Sequence, residues 1–298
     1  MEIILVSVLM TSFNRELFIA EAIESVLNSD YPHFELIIVD DRSTDNTVNI
    51  ANTYAEKDHR VKIYINEKNL GDYSNRNRAA SYAKGKYIKY CDSDDKLYDW
   101  TLTYCVGMME KYPDAAVGYL YTHGVIKDEY LLPAQSIHKS YFESTILNIG
   151  PCGTILNRSL FERAGGYDDR YGPVSDMYFN LKMATMFPIV LLEKEFFFYR
   201  RHEGQEINNR YKYLLNNYRY LKDAFCLPGF PLDKHQRKFL LRREGYWQTR
   251  ELLLYVRKTG DFRKAIEAIQ KSTLGVAGFI GGVKTLLLHK LKMKTPYQ

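Results

Sequence analysis

The hydrophobic pattern of the first 125 residues changes period again and again. IILVSVLM (3–10) is an unbroken apolar run, as in a strand buried on both faces. ELFIAEAIESVLNS (16–29) then sets Phe18, Ile19, Ala22, Ile23, Val26 and Leu27 at helical spacing. ELIIVDD (35–41) reads as strand. STDNTVNIANTYAEK (43–57) reads as helix, with Ser43 and Thr44 as candidate N-caps and an aspartate in its first turn. RVKIYIN (60–66), SNRNRAASYAK (74–84) and KYIKYC (86–91) continue as strand, helix and strand. This order predicts an α/β fold, Rossmann-like, with a mostly parallel central sheet and helices on both faces.

Residues 142–200 carry a mixed pattern, and beyond about 205 the strand signal fades. QEINNRYKYLLNNYRYLKDAF and QRKFLLRREGYWQTRELLLYVRK are rich in Tyr, Leu, Arg and Lys at helical spacing. The expected organisation is an α/β domain over 1–205 and a helical region over 206–298, the latter serving oligomerisation or association with a membrane surface. No internal repeat or low-complexity tract interrupts either part.

In open α/β sheets ligands bind beyond the carboxyl ends of the strands. Both acidic clusters, Asp40-Asp41 and Asp92-Ser93-Asp94-Asp95, fall at such ends. In an extended or turning segment Asp92 and Asp94 share one side, because side chains alternate. Two carboxylates so placed suit a hard cation, Mn²⁺ or Mg²⁺, held together with substrate phosphates. The competing reading is a solvated acidic turn, in which Asp95 acts as a cap or loop anchor. A strand ending in two carboxylates, Asp40 and Asp41, offers an acceptor that matches the N3–H of uracil or thymine, although paired aspartates before a helix are also common. Gly71 permits a tight turn, and Arg76 falls near the start of the next helix, where a cation reaches a phosphate or a base edge; the alternative for Arg76 is an ordinary surface residue.

Composition narrows the field without choosing a function. The chain has 298 residues, 46% hydrophobic and 26% charged, with a formal net charge of +5 that suits an anionic partner. Its seven histidines form no metal-binding pair, and its four cysteines (91, 105, 152, 226) have no C-x-x-C spacing, which points to buried, reduced thiols in a cytosolic protein. The start MEIILVSVLM lacks a basic leader and reads as a first strand, not a signal peptide. No apolar run approaches the ~18–20 residues a membrane span needs. The cations gather in the C-terminal third but lack the aromatic interleaving of a nucleic-acid groove, so no nucleic-acid partner is expected.

The blocks VSVLMTSFNRELFIAEAIESVLNSDYPHFELIIVDDRSTDNT and NLG…RN…AKGKYIKYCDSDD, in this order, resemble the family 2 glycosyltransferases of the GT-A fold. The resemblance covers residues 3 to about 205. It implies an inverting, metal-dependent transfer from a nucleotide sugar, a UDP-sugar by expectation, to a hydroxyl of a surface polysaccharide or lipid-linked glycan. It implies that Thr11 and Phe13 receive the nucleobase, that Asp41 takes the base N–H with Asp40 supporting the turn, and that Arg76 lies beside base and phosphates. By the same match Asp92 and Ser93 address the ribose and metal-bound water, while Asp94 ligates the metal on the diphosphate. GYDDRYGPVSDMYFNLKM resembles the stretch carrying the general base, here Asp176; the competing reading is a plain N-cap of 177–186. FYRRHEGQEI resembles the loop closing over the donor, which implies His202 as a further metal ligand and Arg200 or Arg201 as a diphosphate contact; the competing reading of His202 is a solvated histidine among charged residues.

The chain departs from the family pattern at three points. Thr11 replaces a common proline, Arg42 a glycine that often follows the paired aspartates, and Ser175 an acid before the base. Two other classes remain open on sequence: a sugar nucleotidyltransferase, against which stands the missing Gly-rich turn after the first strand, and a binding or assembly protein without catalysis. In the tail, Ile280, Val283, Leu286, Leu287 and Leu291 can share one helical face. A basic helix of that kind can lie on an anionic membrane, placing the protein peripherally at the inner face of the cytoplasmic membrane, or pack on its own domain or a second subunit. Tyr211, Tyr213, Tyr218 and Tyr220 are expected to pack rather than to stack on sugars.

Overall fold

The computed structural model describes residues 4–121, 128–205 and 209–290. The chain begins with β1 (Val6–Ser12), α1 (Ile19–Leu27), β2 (Phe34–Asp40), α2 (Thr47–Ala55), β3 (Val61–Ile65), α3 (Asp72–Ser81) and β4 (Tyr87–Tyr90). It continues through β5 (Lys96–Leu97), α4 (Thr101–Lys111), β6 (Val117–Leu120), β7 (Glu129–Leu131), α5 (Pro133–Phe142), β8 (Thr154–Asn157) and α6 (Arg158–Ala164). Then come α7 (Ser175–Met186), β9 (Ile189–Leu192), β10 (Phe197–Phe198), α8 (Arg210–Ala224), α9 (Lys234–Thr259), α10 (Phe262–Lys271) and α11 (Gly275–Lys290).

Eight strands form one sheet in the order β3-β2-β1-β4-β8-β6-β9-β7, and β5 pairs with β10 in a separate ribbon. The first half of the sheet is parallel, with β1 between β2 and β4. The second half is mixed, because β8 runs antiparallel to both β4 and β6 while β6 and β9 are parallel. β1 and β2 bury residues of both parities: Val6, Val8, Met10, Leu36 and Ile38 join Ile19, Ala22, Ile23 and Val26 of α1 in the main core, while Leu9, Ile37 and Val39 are equally enclosed. This is why the first strand reads as a continuous apolar run and not as an alternation.

One expectation for the first half is corrected. Ser43 and Thr44 do not cap α2; Ser43 turns back to bond Asp40, and the Thr44 N–H goes to Asn14. Asp45 instead accepts the Thr47 N–H and hydroxyl at the helix start.

The chain divides into two compact units. One comprises residues up to Asp169 with Phe179–His202, and the other Arg170–Tyr178 with residues from Glu203 onward. In the second unit Leu214, Leu252, Ala265, Ala268 and Leu274 form a small core, with Tyr211 and Tyr218 packed against it as expected. α9 starts with a reciprocal capping box between Asp233 and Gln236 and ends at Gly260. α11 lies so close to α9 that a Cβ on Gly282 would stand 2.1 Å from Thr249 Oγ1. The tail helix therefore packs through its glycines. Ile280 of the anticipated apolar stripe is exposed and Val283 and Leu286 are half-buried; the side chains of Leu287 and Leu291 lie outside the described residues. Cys91, Cys105 and Cys152 are buried thiols, but Cys226 is exposed, against expectation. Among the described residues no helix is long and apolar enough to cross a membrane.

A buried network anchors the turn before β4. Ser7 Oγ donates to Glu35 and accepts the Gly85 N–H, and Lys62 pairs with the other Glu35 oxygen. A Cβ on Gly85 would meet the Ser7 backbone nitrogen at 2.5 Å and the Leu5 carbonyl at 2.7 Å, atoms that cannot step aside. Gly107, on the exposed face of α4, has nothing within 4 Å. Gly85→Ala is expected to destabilise by about 1–3 kcal/mol, and Gly107→Ala to stabilise by up to about 1 kcal/mol. Urea unfolding midpoints at unchanged m-value measure both, and equal effects at the two positions would refute the packing assignment.

Candidate active site

Beyond the carboxyl ends of β1, β2 and β4 the chain turns, and the turns collect the acidic residues. Cys91–Asp95 does not continue as an extended strand. The Asp95 N–H bonds the Asp92 carbonyl at 3.0 Å, closing a tight turn. Asp92 and Asp95 therefore come together, with Cys152, in a group whose ligand-type atoms all lie within 4.8 Å. The expected same-side pairing of Asp92 with Asp94 is replaced by this i, i+3 proximity, because the backbone has left the two-residue period of a strand.

Each residue of the turn has its own partners. Asp92 takes the Arg76 guanidinium at 2.6 Å, and Ser93 donates to the Thr11 carbonyl at 2.8 Å, tying this turn to the end of β1. Asp94 Oδ2 lies 2.9 Å from His202 Nε2 and 3.1 Å from Arg15 Nε. Asp95 accepts the backbone N–H of Arg200 at 3.0 Å, so it is a loop anchor. The Arg200 side chain is engaged with the Asp94 carbonyl and Glu21, whereas Arg201 is exposed. His202 also packs its ring 4.7 Å from that of Phe18.

The turn after β2 holds the other cluster. Asp40 is buried and accepts from Ser12 Oγ and from the N–H and hydroxyl of Ser43. Asp41, also buried, accepts from Asn66 Nδ2 (2.8 Å), Leu70 N–H (2.8 Å) and Gly71 N–H (2.9 Å). A carboxylate has about four lone-pair sites, so Asp41 organises the 66–71 loop and keeps one acceptor site in hand. Phe13, just past β1, is 44% exposed, a ring available for stacking. Arg42 has φ 68°, the left-handed region that explains a glycine at this position in related chains.

Arg76 is not a surface residue. It is 6% exposed, paired with Asp72 and Asp92 and flanked by the rings of Tyr73 and Tyr90. Asp176 belongs to the second unit, lies in the first turn of α7 and is buried. Its Oδ1 accepts the N–H of Met177, while the helix itself begins one residue earlier, at Ser175. The sequence reading overlooked Arg15, Lys89 and Cys152. Lys89 is fully buried in β4, and its ammonium donates to the carbonyls of Tyr90 and Cys152. A lysine in a run of buried strand residues is the signal that could have found it.

The charges are unevenly compensated. Burial pushes the Asp92 carboxyl up, but Arg76 overrides this and leaves it below the ordinary carboxylate value. Asp95 has no such partner; burial and the charges of Asp92 and Asp94 push it up to about 7. The Cys152 thiol is pushed well above its usual value by burial and then by Asp92 and Asp95, so it stays protonated, and its sulfur accepts the Asp92 N–H at 3.0 Å. A protonated thiol is a poor ligand for a hard cation. Asp94 and His202 are better suited, since neighbouring ligand atoms each about 2.1 Å from an octahedral cation lie ~3 Å apart, close to their observed separation. Asp94 and His202 thus offer a ligand pair of suitable spacing for a hard divalent cation, but Arg15 Nε holds the same Asp94 oxygen and must move aside for one to bind.

The sheet order, with acidic turns at its carboxyl edge, is that of the GT-A fold. A sequence model described as glycosyl transferase family 2 matches residues 7–165, more than half of the chain, and the chain belongs to that family. It is 44% identical over 92 residues to the putative teichuronic acid biosynthesis glycosyltransferase TuaG of Bacillus subtilis, a stretch covering 31% of this chain and 36% of that protein. Over 206 residues it is 27% identical to the GalNAc(5)-diNAcBac-PP-undecaprenol beta-1,3-glucosyltransferase of Campylobacter jejuni, covering 65% and 64% of the two chains. The chain thus spans less than two thirds of the length of these curated relatives. Residues 1–349 of S. aureus TarS, in complex with UDP-GlcNAc, share the fold with a TM-score of 0.69 at 19% identity, over 96% of this chain and 91% of that one.

Arg76→Met leaves the partly buried Asp92 without its guanidinium partner and is expected to cost about 1–3 kcal/mol. Adding Asp92→Asn should recover a large part of the loss, giving a coupling well beyond the ~0.5 kcal/mol of independent sites in a denaturation double-mutant cycle. Additive effects would show that the two side chains do not depend on one another.

Proposed function

We propose that the protein transfers a sugar, with inversion, from a UDP-sugar to a hydroxyl of a lipid-linked or surface glycan. The observation that carries the reading is the Asp94–His202 pair at 2.9 Å, beside the Asp92 turn and within the unit that also holds Asp41. Asp41 has one acceptor site left for the N3–H of uracil, and Phe13 supplies a ring against the base. Arg76 holds Asp92 ionised toward the ribose, and Ser93 fixes the turn. Asp94 and His202 would hold Mn²⁺ or Mg²⁺, which when bound supplies positive charge against a leaving diphosphate. Asp176 takes the proton of the acceptor hydroxyl as its oxygen bonds the anomeric carbon and the bond to the diphosphate breaks. A buried carboxylate in the first turn of a helix, within a stretch resembling the family's base, supports that role.

The nucleotide follows the UDP-GlcNAc complex of TarS, and the acceptor follows the PP-undecaprenol-linked glycan in the name of the Campylobacter relative. Calorimetric titration of UDP, dTDP, GDP and CMP, with Mn²⁺ or with EDTA, tests the donor half. UDP should bind best and only with metal, and Asp94→Asn should abolish that dependence. Asp176→Asn should lower turnover by about 10²–10⁴ while leaving UDP affinity intact. Metal-independent binding, or full turnover in Asp176→Asn, would refute the assignment.

The C-terminal helices supply a reading of the membrane partner. Residues 206–298 carry nineteen Lys and Arg against seven Asp and Glu, a net +12 in a chain whose total is +5. Phe262 and Ile266 on α10, and Val276 and Ile280 on α11, are large exposed apolar residues at i, i+4 spacing. Two copies bearing such charge repel, whereas an anionic bilayer attracts it and accepts the apolar side chains. Sedimentation with phosphatidylglycerol vesicles, but not with phosphatidylcholine vesicles, is expected. Phe262→Ser with Ile266→Ser should weaken it by about tenfold or more. Absence of binding, or a salt-insensitive dimer in its place, would overturn the membrane reading.

A further inference from the structure

A cavity of about 280 Å³ opens at the carboxyl end of β6, within the first unit. Its apolar walls include Leu120, Tyr121 and Ile146, all buried, and Ser144, Thr145 and Asn148 form a more exposed polar edge. Among the described residues none of those three polar side chains has a hydrogen-bond partner within the protein. No charged side chain lines the cavity among the described residues, so its chemistry does not suit a phosphate or carboxylate group.

Strand register places this cavity next to the acidic turn. β8 pairs with β4 so that Ile155 faces Lys89, and with β6 so that Thr154 faces Tyr119. Just before β8 the chain forms a 3-10 turn, Pro151–Gly153, and a Cβ on Gly153 would stand 3.7 Å from Leu120 Cβ at the end of β6. The wall between is thin. A Cβ on Gly153 would lie 2.3 Å from Ile149 Cγ1, so the Ile149 wall of the cavity rests directly on this backbone. The adjoining Cys152 sulfur accepts the Asp92 N–H. The loop that shapes the cavity is bolted from behind, because Asn180 Nδ2 donates to the carbonyls of both Leu147 and Ile149.

We propose that this cavity binds one pyranose ring of the acceptor glycan. The inference rests on the glycosyltransferase reading above and assigns its acceptor side. A pyranose has an apolar C–H face and a rim of neutral hydroxyls, matching an apolar wall edged by Ser144, Thr145 and Asn148. At about 280 Å³ the volume falls just below the ~300–1,000 Å³ range of small-molecule pockets, enough for one ring and not for an oligosaccharide. The Pro151–Gly153 turn touches both, with Gly153 against the cavity wall and Cys152 on the Asp92 N–H, so the cavity adjoins the acidic turn.

Saturation-transfer NMR on the full chain, with methyl glucoside, methyl galactoside and methyl N-acetylglucosaminide as probes, tests the site. At least one probe should give signal with UDP and Mn²⁺ already bound, which separates it from the donor site. Ser144→Leu with Asn148→Leu should weaken that probe by roughly tenfold or more, as loss of two hydrogen bonds and part of the space requires, with UDP affinity unchanged. An undiminished signal in the double variant overturns the proposal, as does a wild-type protein that binds UDP and no pyranoside. A pyranoside signal that the variant abolishes, in a protein that never binds UDP, upholds the cavity and overturns the donor reading instead.

Discussion

The first unit is organised around positive charge placed under a buried acidic turn. Lys89 lies on the central sheet with no exposed surface, and its ammonium bonds the carbonyls of Tyr90 and Cys152 while lying 5.0 Å from the ring centre of Phe196. A buried ion costs several kcal/mol unless it is compensated. Here the compensation is mutual, because Lys89 lowers the cost of ionising Asp92, and Arg76 does so more strongly from the other side. One cation thereby joins the end of β4, the turn before β8 and the segment entering β10. Without it the carboxylates of the turn would repel one another in a poorly solvated place.

The same economy appears at the other acidic pair. Asp40 and Asp41 follow one another but serve different turns: Asp40 closes the 40–43 turn onto Ser12, and Asp41 gathers Asn66, Leu70 and Gly71. The side chain expected to read a nucleobase is thus also the one that shapes the loop beside it. That rigidity suits recognition, since an acceptor fixed by three other bonds offers its remaining lone pair in one direction. Asp94 is arranged differently. Its partners, Arg15 and His202, are both partly exposed side chains, so it is the carboxylate of the cluster whose surroundings can rearrange around a ligand.

The second unit is held by other means. Its apolar core is small, and its longest contact, α9 with α11, depends on backbones approaching through glycine at 282 beside Thr249. Helices packed through small residues leave their larger apolar side chains on the outside, which is where Val276 and Ile280 are found. Burial in that unit thus falls on residues that a hydrophobicity pattern does not mark.

The sequence by itself determined the alternation of β1 to β4 with their helices, the position of both acidic clusters at strand ends and the family. These are local properties: runs of buried apolar residues fix strands, helical spacing fixes helices, and short motifs travel with both. Tertiary structure decided which side chains meet. That Asp92 joins Asp95 and not Asp94 depends on a turn whose closure no periodicity records. That Arg15 and His202, far apart in sequence, converge on Asp94 follows from strand order and loop return. The buried Lys89, the glycine seam of α11 and the antiparallel insertion of β8, whose leading turn lies between a neutral cavity and the acidic turn, are long-range facts of the same kind. Their physical cause is compensation between groups distant in the chain, and a pattern read along the chain does not contain it.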